Sequence, residues 1–176
     1  LNDLKAYFEN FNYTEEEIRN VLNEKVNGRT LIYLSILSPN CNIEFIKYLV
    51  ELGADINILQ ISNVNLLSGA FSKKNLDNEL LNYLIENSNN INNLDDINNT
   101  CLHYAALNKH LSADILKILL NNGLCPNKKK NNGIAPIFIS GMKNNLNCLK
   151  IFCEYGGNPE IKNNNSNTIL MYACMH

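Results

Sequence analysis

No apolar run in this 176-residue chain approaches the roughly 18 residues of a membrane-spanning helix, and the opening residues lack the basic flank and apolar segment of a secretory leader. A net charge of −2 leaves no surplus of Lys and Arg for a general nucleic-acid or anionic-membrane surface. The one basic run, Lys128-Lys129-Lys130, lies among Asn and Gly and reads as a solvated loop. There is no Cys-x-x-Cys pair, no Gly-rich phosphate loop after a strand, and no spacing that suggests a Ser-His-Asp set. These absences leave binding as the default. The expectation is a soluble chain, not an enzyme, with no catalytic residues, no metal ligands, no cofactor, no nucleic-acid partner and no membrane insertion.

With 45% hydrophobic residues the chain is long enough for one ordinary domain with a core. Its cysteines, Cys41, Cys101, Cys125, Cys148, Cys153 and Cys174, fall mostly among apolar neighbours at helical spacing, as expected of reduced, core-filling thiols in the cytoplasm or nucleus. The chain begins without Met and stops inside an apolar pattern, which reads as a piece of something longer. About a fifth of it is asparagine, clustered in "ENSNNINNLDDINN" and "KNNNSN" between periodic apolar stretches. Asn tolerates left-handed backbone and caps helices, so short helices and turns can absorb much of it.

A repeat organises these stretches. "GRTLIYLSI" (28–36), "NVNLLSGAF" (63–71), "NNTCLHYAA" (98–106), "GIAPIFISG" (133–141) and "SNTILMYAC" (166–174) stand in register, with third positions Thr30, Asn65, Thr100, Ala135 and Thr168. Between them recur "IEFIKYLVELG", "NELLNYLIENS", "ADILKILLNNG" and "LNCLKIFCEYG", closed by Gly53, Ser88, Gly123 and Gly156. Leu49, Leu84, Leu119 and Phe152 share one apolar column, and Ile46, Leu81, Leu116 and Leu149 another three residues earlier, which is one helix face. The closing glycines suit a left-handed helix end. Every closing residue precedes the next Thr-like position by 12 residues, whereas the distance from that position to the next closing residue is 23, 23, 23 and then 21. Length is free between the two helices and fixed in the segment joining repeats, so the joining segment sets the stacking.

Asn98-Asn99-Thr100-Cys101-Leu102-His103-Tyr104-Ala105-Ala106 matches the ankyrin helix-opening motif Gly-x-Thr-Pro-Leu-His-x-Ala-Ala, and "LVELGADIN" (49–57) matches that family's closing turn. Nearly the whole chain resembles ankyrin repeats. The implied fold is all-α, an ankyrin-repeat solenoid of stacked helix-turn-helix units with short β-hairpin-like turns. We expect one domain over 1–176, with repeats at 26–60, 61–95, 96–129 and 130–162 and a truncated last repeat at 163–176. Residues 1–25 read as an N-terminal helical cap or degenerate repeat, in which Thr14-Glu15-Glu16-Glu17 resembles a capping box. The second copy, with Asn65, Leu66 and Ser68 in place of Thr, Pro and His, predicts a distorted helix opening.

The stretch "TCLHYAALNKH" (100–110) is the richest in reactive side chains. Cys101 and His103 are two apart on a helix and point to different faces, and His103 and His110 are about 10 Å apart, too far to share one ion. Thr100 is expected to hydrogen-bond the first helical turn, and the resemblance implies that His103 joins that network and links neighbouring repeats. Ala105 and Ala106 are small because two helices approach there.

The resemblance also implies that a partner protein binds the concave face, at turn-tip and first-helix positions. These are Val26, Asn27, Arg29, Leu37, Ser38, Ile61, Ser62, Val64, Ser72, Lys73, Asp96, Ile97, Asn99, Leu107, Asn108, Asn131, Asn132, Ile134, Met142 and Lys143. Aliphatic residues at Val26, Ile61, Val64, Ile97 and Ile134 have two readings: an exposed patch of the kind partners use, or side chains tucked under the adjacent hairpin. Asn57 sits where ankyrin-type proteins are hydroxylated, and the simpler expectation is a bond within its own turn. The chain is read as a monomeric protein-interaction module. The competing class is a recognition domain of a larger enzyme such as a ubiquitin ligase or acyltransferase. An independent enzyme is a weaker rival, which an exposed, perturbed Cys or His in a pocket would favour.

Overall fold

The computed structural model describes residues 2–74 and 77–175; of the three histidines, His176 lies outside them. Its α-helices are α1 (Asn2–Asn10), α2 (Glu15–Asn23), α3 (Leu31–Leu37), α4 (Ile43–Glu51), α5 (Leu66–Ala70), α6 (Asn78–Asn87), α7 (Cys101–Leu107), α8 (Ala113–Asn121), α9 (Pro136–Met142), α10 (Leu146–Glu154) and α11 (Ile169–Met175). No helix among the described residues is long and apolar enough to cross a membrane.

Short polar side chains start several of these helices by taking up otherwise unpaired backbone N–H groups. At α2 the reciprocal capping box forms: Thr14 N–H donates to Glu17 Oε2 at 2.8 Å and Glu17 N–H to Thr14 Oγ1 at 3.3 Å. Asn42, Asn65 and Asn145 accept from Phe45, Ser68 and Cys148 at the starts of α4, α5 and α10. The eroded second copy is therefore capped in the ordinary way by Asn65. One step earlier, Ile61–Asn63 forms a 3₁₀ turn with positive φ at both Ser62 and Asn63, the pattern that Asn27 and Gly28 show in the first tip.

Two layers result. The first helices of successive units stack as α3, α5, α7, α9 and α11, and the second helices as α6, α8 and α10, with α4 packed on α3 and α2 against α3. Leu49, Leu84, Leu119 and Phe152, one column of the repeat, are fully buried, and each such side chain stabilises by roughly 1.5–3 kcal/mol. Ala105 and Ala106 are fully buried where α7 lies between α5 and α9. Gly53, Gly123 and Gly156 close their helices with φ of 100°, 82° and 78°. Ser88 keeps φ at −79° and instead donates its hydroxyl to Leu84 O at 2.6 Å.

Candidate interaction face

The joints between units set this face. Two residues before each Thr-like position the backbone is left-handed: Gly28, Asn63, Asn98, Gly133 and Ser166 have φ of 75°, 58°, 63°, 77° and 63°. Glycine enters that region freely and asparagine at modest cost, so part of the asparagine excess has a conformational cause. In the first tip, Asn27 and Gly28 both have positive φ between the antiparallel bridge of Val26 with Arg29, the geometry of a two-residue hairpin. Each tip then bonds to the next through backbone, with side-chain amides beside it: Asn63 Nδ2 donates to Asp96 Oδ1, Asn98 Nδ2 to Asn131 Oδ1 and Asn164 Nδ2 to Asn131 O. Ile61 N–H donates to Gly28 O (2.7 Å), Asp96 to Ser62 (3.1 Å), Asn131 to Ile97 (3.1 Å) and Asn164 to Asn132 (3.3 Å). The constant 12-residue segment thus carries a ladder that holds the tips in one row.

Behind the tips, buried polar side chains fasten one unit to the next. The Thr100 N–H donates to His103 Nδ1 at 3.0 Å, with Thr100 Oγ1 also 3.0 Å from that nitrogen. Nδ1 is therefore an acceptor and Nε2 carries the proton, which it donates to Ile134 O of the next unit at 3.2 Å. Burial above all, with the Lys130 charge, lowers the His103 pKa to about 4 and keeps the ring neutral. Residue 33 replaces this histidine with Tyr in the first copy, and Gln60 takes over the task from the following joint. Its Oε1 accepts the Thr30 N–H at 2.8 Å, and its Nε2 donates to Ile58 O at 2.6 Å.

At the third joint Asp95 is buried beneath the tip. Its Oδ1 accepts the backbone N–H of Ile97 and Asn99, and its Oδ2 accepts the Asn99 amide and the Tyr104 hydroxyl. Burial opposes its ionisation, but these donors outweigh that and hold the carboxyl below the usual carboxylate range.

Cys101 and His103 consequently serve different partners. The Cys101 thiol donates to Ile91 O at 3.5 Å, and burial pushes its pKa up to about 12, away from a reactive thiolate. Cys148 is likewise raised to about 12 by burial.

The expected face divides between surface and scaffold. Val26, Ile61, Ile97 and Leu107 are exposed to 64%, 53%, 50% and 48%, so the tip aliphatics and the end of α7 meet solvent. Asn27, Arg29, Ser62, Ser72, Asp96, Asn131, Asn132 and Lys143 are exposed with them. Val64 and Ile134 take the other reading: both are half-buried and pack against the core, as do Leu37 and Met142. Ser38 and Lys73 are half-buried and bonded to each other, Lys73 Nζ donating to Ser38 O at 3.0 Å.

Asn99 and Asn108, expected on the face, are corrected to buried scaffold. The Asn99 amide is spent on Asp95, and the Asn108 amide donates to Phe71 O at 3.0 Å and Lys73 O at 2.6 Å, tying α7 to the end of α5. Asn57 reaches beyond its own turn. Its Oδ1 accepts the Asn89 N–H of the next one at 2.9 Å, as Asn127 Oδ1 does for Asn158.

The ankyrin-repeat family model, in three copies, matches residues 67–162 and 112–176, together more than half of the chain. The chain belongs to the ankyrin-repeat family. No curated protein shows a significant match. The family assignment agrees with the all-α solenoid, and the ankyrin joints extend toward the N-terminus beyond the matched residues, through the bonds of Ile61 to Gly28 and of Gln60 to Thr30. Ankyrin repeats are generally protein–protein interaction modules and typically non-catalytic.

Gln60 and Asp95 were not anticipated from the sequence. Both stand five residues before a Thr-like position, where Asn163 also lies buried, so a polar residue in that column was their signal.

Proposed function

We propose that this ankyrin stack is a non-catalytic binding module that engages one partner protein through the face formed by its tips and the outer surfaces of α3, α5, α7 and α9. The supporting observation is the row of exposed aliphatic side chains, Val26, Ile61 and Ile97, held in line by the backbone ladder, with Leu107 beside it. Tips are ordinarily polar, and aligned apolar groups on a rigid support are what an interface core requires. The histidine and threonine of the motif are occupied in the joints and supply no chemistry of their own. Six free thiols, two of them buried, suit a reducing compartment.

The test is a quantitative affinity capture with the wild-type chain, an Ile61→Asp/Ile97→Asp variant, and an outer-layer control, Lys117→Glu, each checked for folding by circular dichroism. Partners retained by the control and lost from the tip variant are expected. Partners that bind all three forms equally would refute the assignment of this face.

A further inference from the structure

The exposed charge of the molecule is unevenly placed. Residues 1–60 carry nine acidic and five basic side chains and residues 61–176 carry eight and ten, so the net −2 conceals a basic remainder. Much of that basic charge gathers beside the layer of first helices. A concavity of about 600 Å³ at the ends of α5 and α7 is lined by Lys73, Lys109 and Lys143 around Tyr104 and Leu107. A second, of about 260 Å³, shares Tyr104, Leu107 and Lys143 and continues over Ile134 and Met142 past Lys130. Neither wall contains an Asp or Glu side chain.

Lysines near helix C-termini complement the helix dipole, but this does not account for walls without a carboxylate. On the outer layer Lys47 lies 3.4 Å from Glu44 and 3.5 Å from Glu79, the usual local pairing of a surface cation. Lys109, Lys130 and Lys143 make no ion pair with any described residue.

We propose that this groove receives an extended acidic peptide segment of the partner, with carboxylates over Lys73, Lys109 and Lys143 and an apolar side chain between Tyr104, Leu107 and Met142. The repeat fixes the spacing. The three lysines recur at intervals of 36 and 34 residues, one past the end of each of α5, α7 and α9. Neighbouring helices pack about 8–10 Å apart, and a chain extended as polyproline II advances about 3.1 Å per residue with every third side chain on one face. Carboxylates about three residues apart therefore meet successive lysines, and the apolar residue falls between them.

This inference rests on the proposed binding face, and the two are separable by selecting a displayed random dodecapeptide library on the full chain. The expected winners carry Asp or Glu at about every third position with an apolar residue between. Synthetic winners measured by fluorescence anisotropy in 50 mM salt should bind Lys109→Glu/Lys143→Glu at least 10-fold more weakly. The wild-type affinity should fall by a similar factor at 500 mM salt, because screening shortens the reach of exposed charges. Neutral or basic winners that are lost from Ile61→Asp/Ile97→Asp would overturn the acidic groove and leave the face intact, whereas winners indifferent to both variants would overturn both. No enrichment would overturn the groove. So would a 20-nucleotide single-stranded DNA that binds more tightly than any winner with the same lysine dependence, since the groove would then read phosphate.

Discussion

The neutrality of His103 gives the joint between α7 and α9 a pH signature. The ring is almost fully buried, with Nδ1 accepting the Thr100 N–H and Nε2–H held by Ile134 O. Protonation would convert that acceptor into a donor facing a donor. The pKa is about 4 in the folded chain against an ordinary 6.5, so the unfolded chain takes up the proton first. The stabilisation is therefore complete above pH 6.5 and is lost progressively as pH falls toward 4. Linkage between these values gives a loss of about 2 kcal/mol between pH 7.5 and pH 5, and about 3 kcal/mol when fully expressed. Asp95, held below the usual carboxylate range, contributes at pH values where it is ionised and loses its contribution at lower pH, which leaves pH 5–7.5 to the histidine. Urea unfolding under reducing conditions, followed at 222 nm across this interval, measures the slope. In His103→Gln, which offers a donor and an acceptor that do not titrate, the slope should disappear. A flat wild-type profile, or an equal slope in the variant, would refute the neutral, doubly bonded imidazole.

Two further substitutions probe the joints where the motif is eroded. Gln60→Leu removes the acceptor of the buried Thr30 N–H and should cost about 1–3 kcal/mol in urea unfolding, well above the effect of an exposed polar-to-apolar change such as Ser62→Ala. Gly69 faces Tyr33 so closely that an added Cβ would stand 2.4 Å from Tyr33 Cε2. Gly69→Ala should therefore destabilise by about 1–3 kcal/mol, and the Tyr33→Leu/Gly69→Ala pair should show positive coupling in a double-mutant cycle, because a smaller neighbour makes room for the methyl group.

The sequence made most of the fold legible because a repeat reports the same environment several times. The column of Leu49, Leu84, Leu119 and Phe152 predicts one buried face, and the structure buries all four. The invariant joining length anticipates the tip ladder. Thr14 with Glu17 predicts a cap that forms on the expected atoms. What stayed illegible is pairwise. No column shows that Gln60 completes Thr30 where Tyr33 stands in place of the motif histidine, since Gln60 and Tyr33 are compensating departures from the motif. Asn99 and Asn108 fall at positions where the resemblance puts the partner-binding face, one before and eight after Thr100. Only the structure shows their amides meeting Asp95 and the carbonyls of Phe71 and Lys73. Lys109 gains meaning only beside Lys73 and Lys143, which follow the ends of two other helices.

These observations separate scaffold from surface within each repeat. A column that contacts both neighbouring units must recreate the same buried setting at every joint, which is why Thr, His, Gln and Asp there are hydrogen-bonded and buried. Columns that project past the layer meet no such requirement. Val26, Ile61 and Ile97 at the tips, and Lys109 and Lys143 at the helix ends, are exposed. Exposed substitutions usually change stability by no more than about 0.5 kcal/mol, whereas the buried joint residues cost several times that when left unsatisfied. Changes at the tips and groove lysines should therefore alter recognition while the stack stays folded, and changes at Gln60 or His103 should weaken the stack itself. On the proposed face, recognition can thus change without altering the joints that hold the units together.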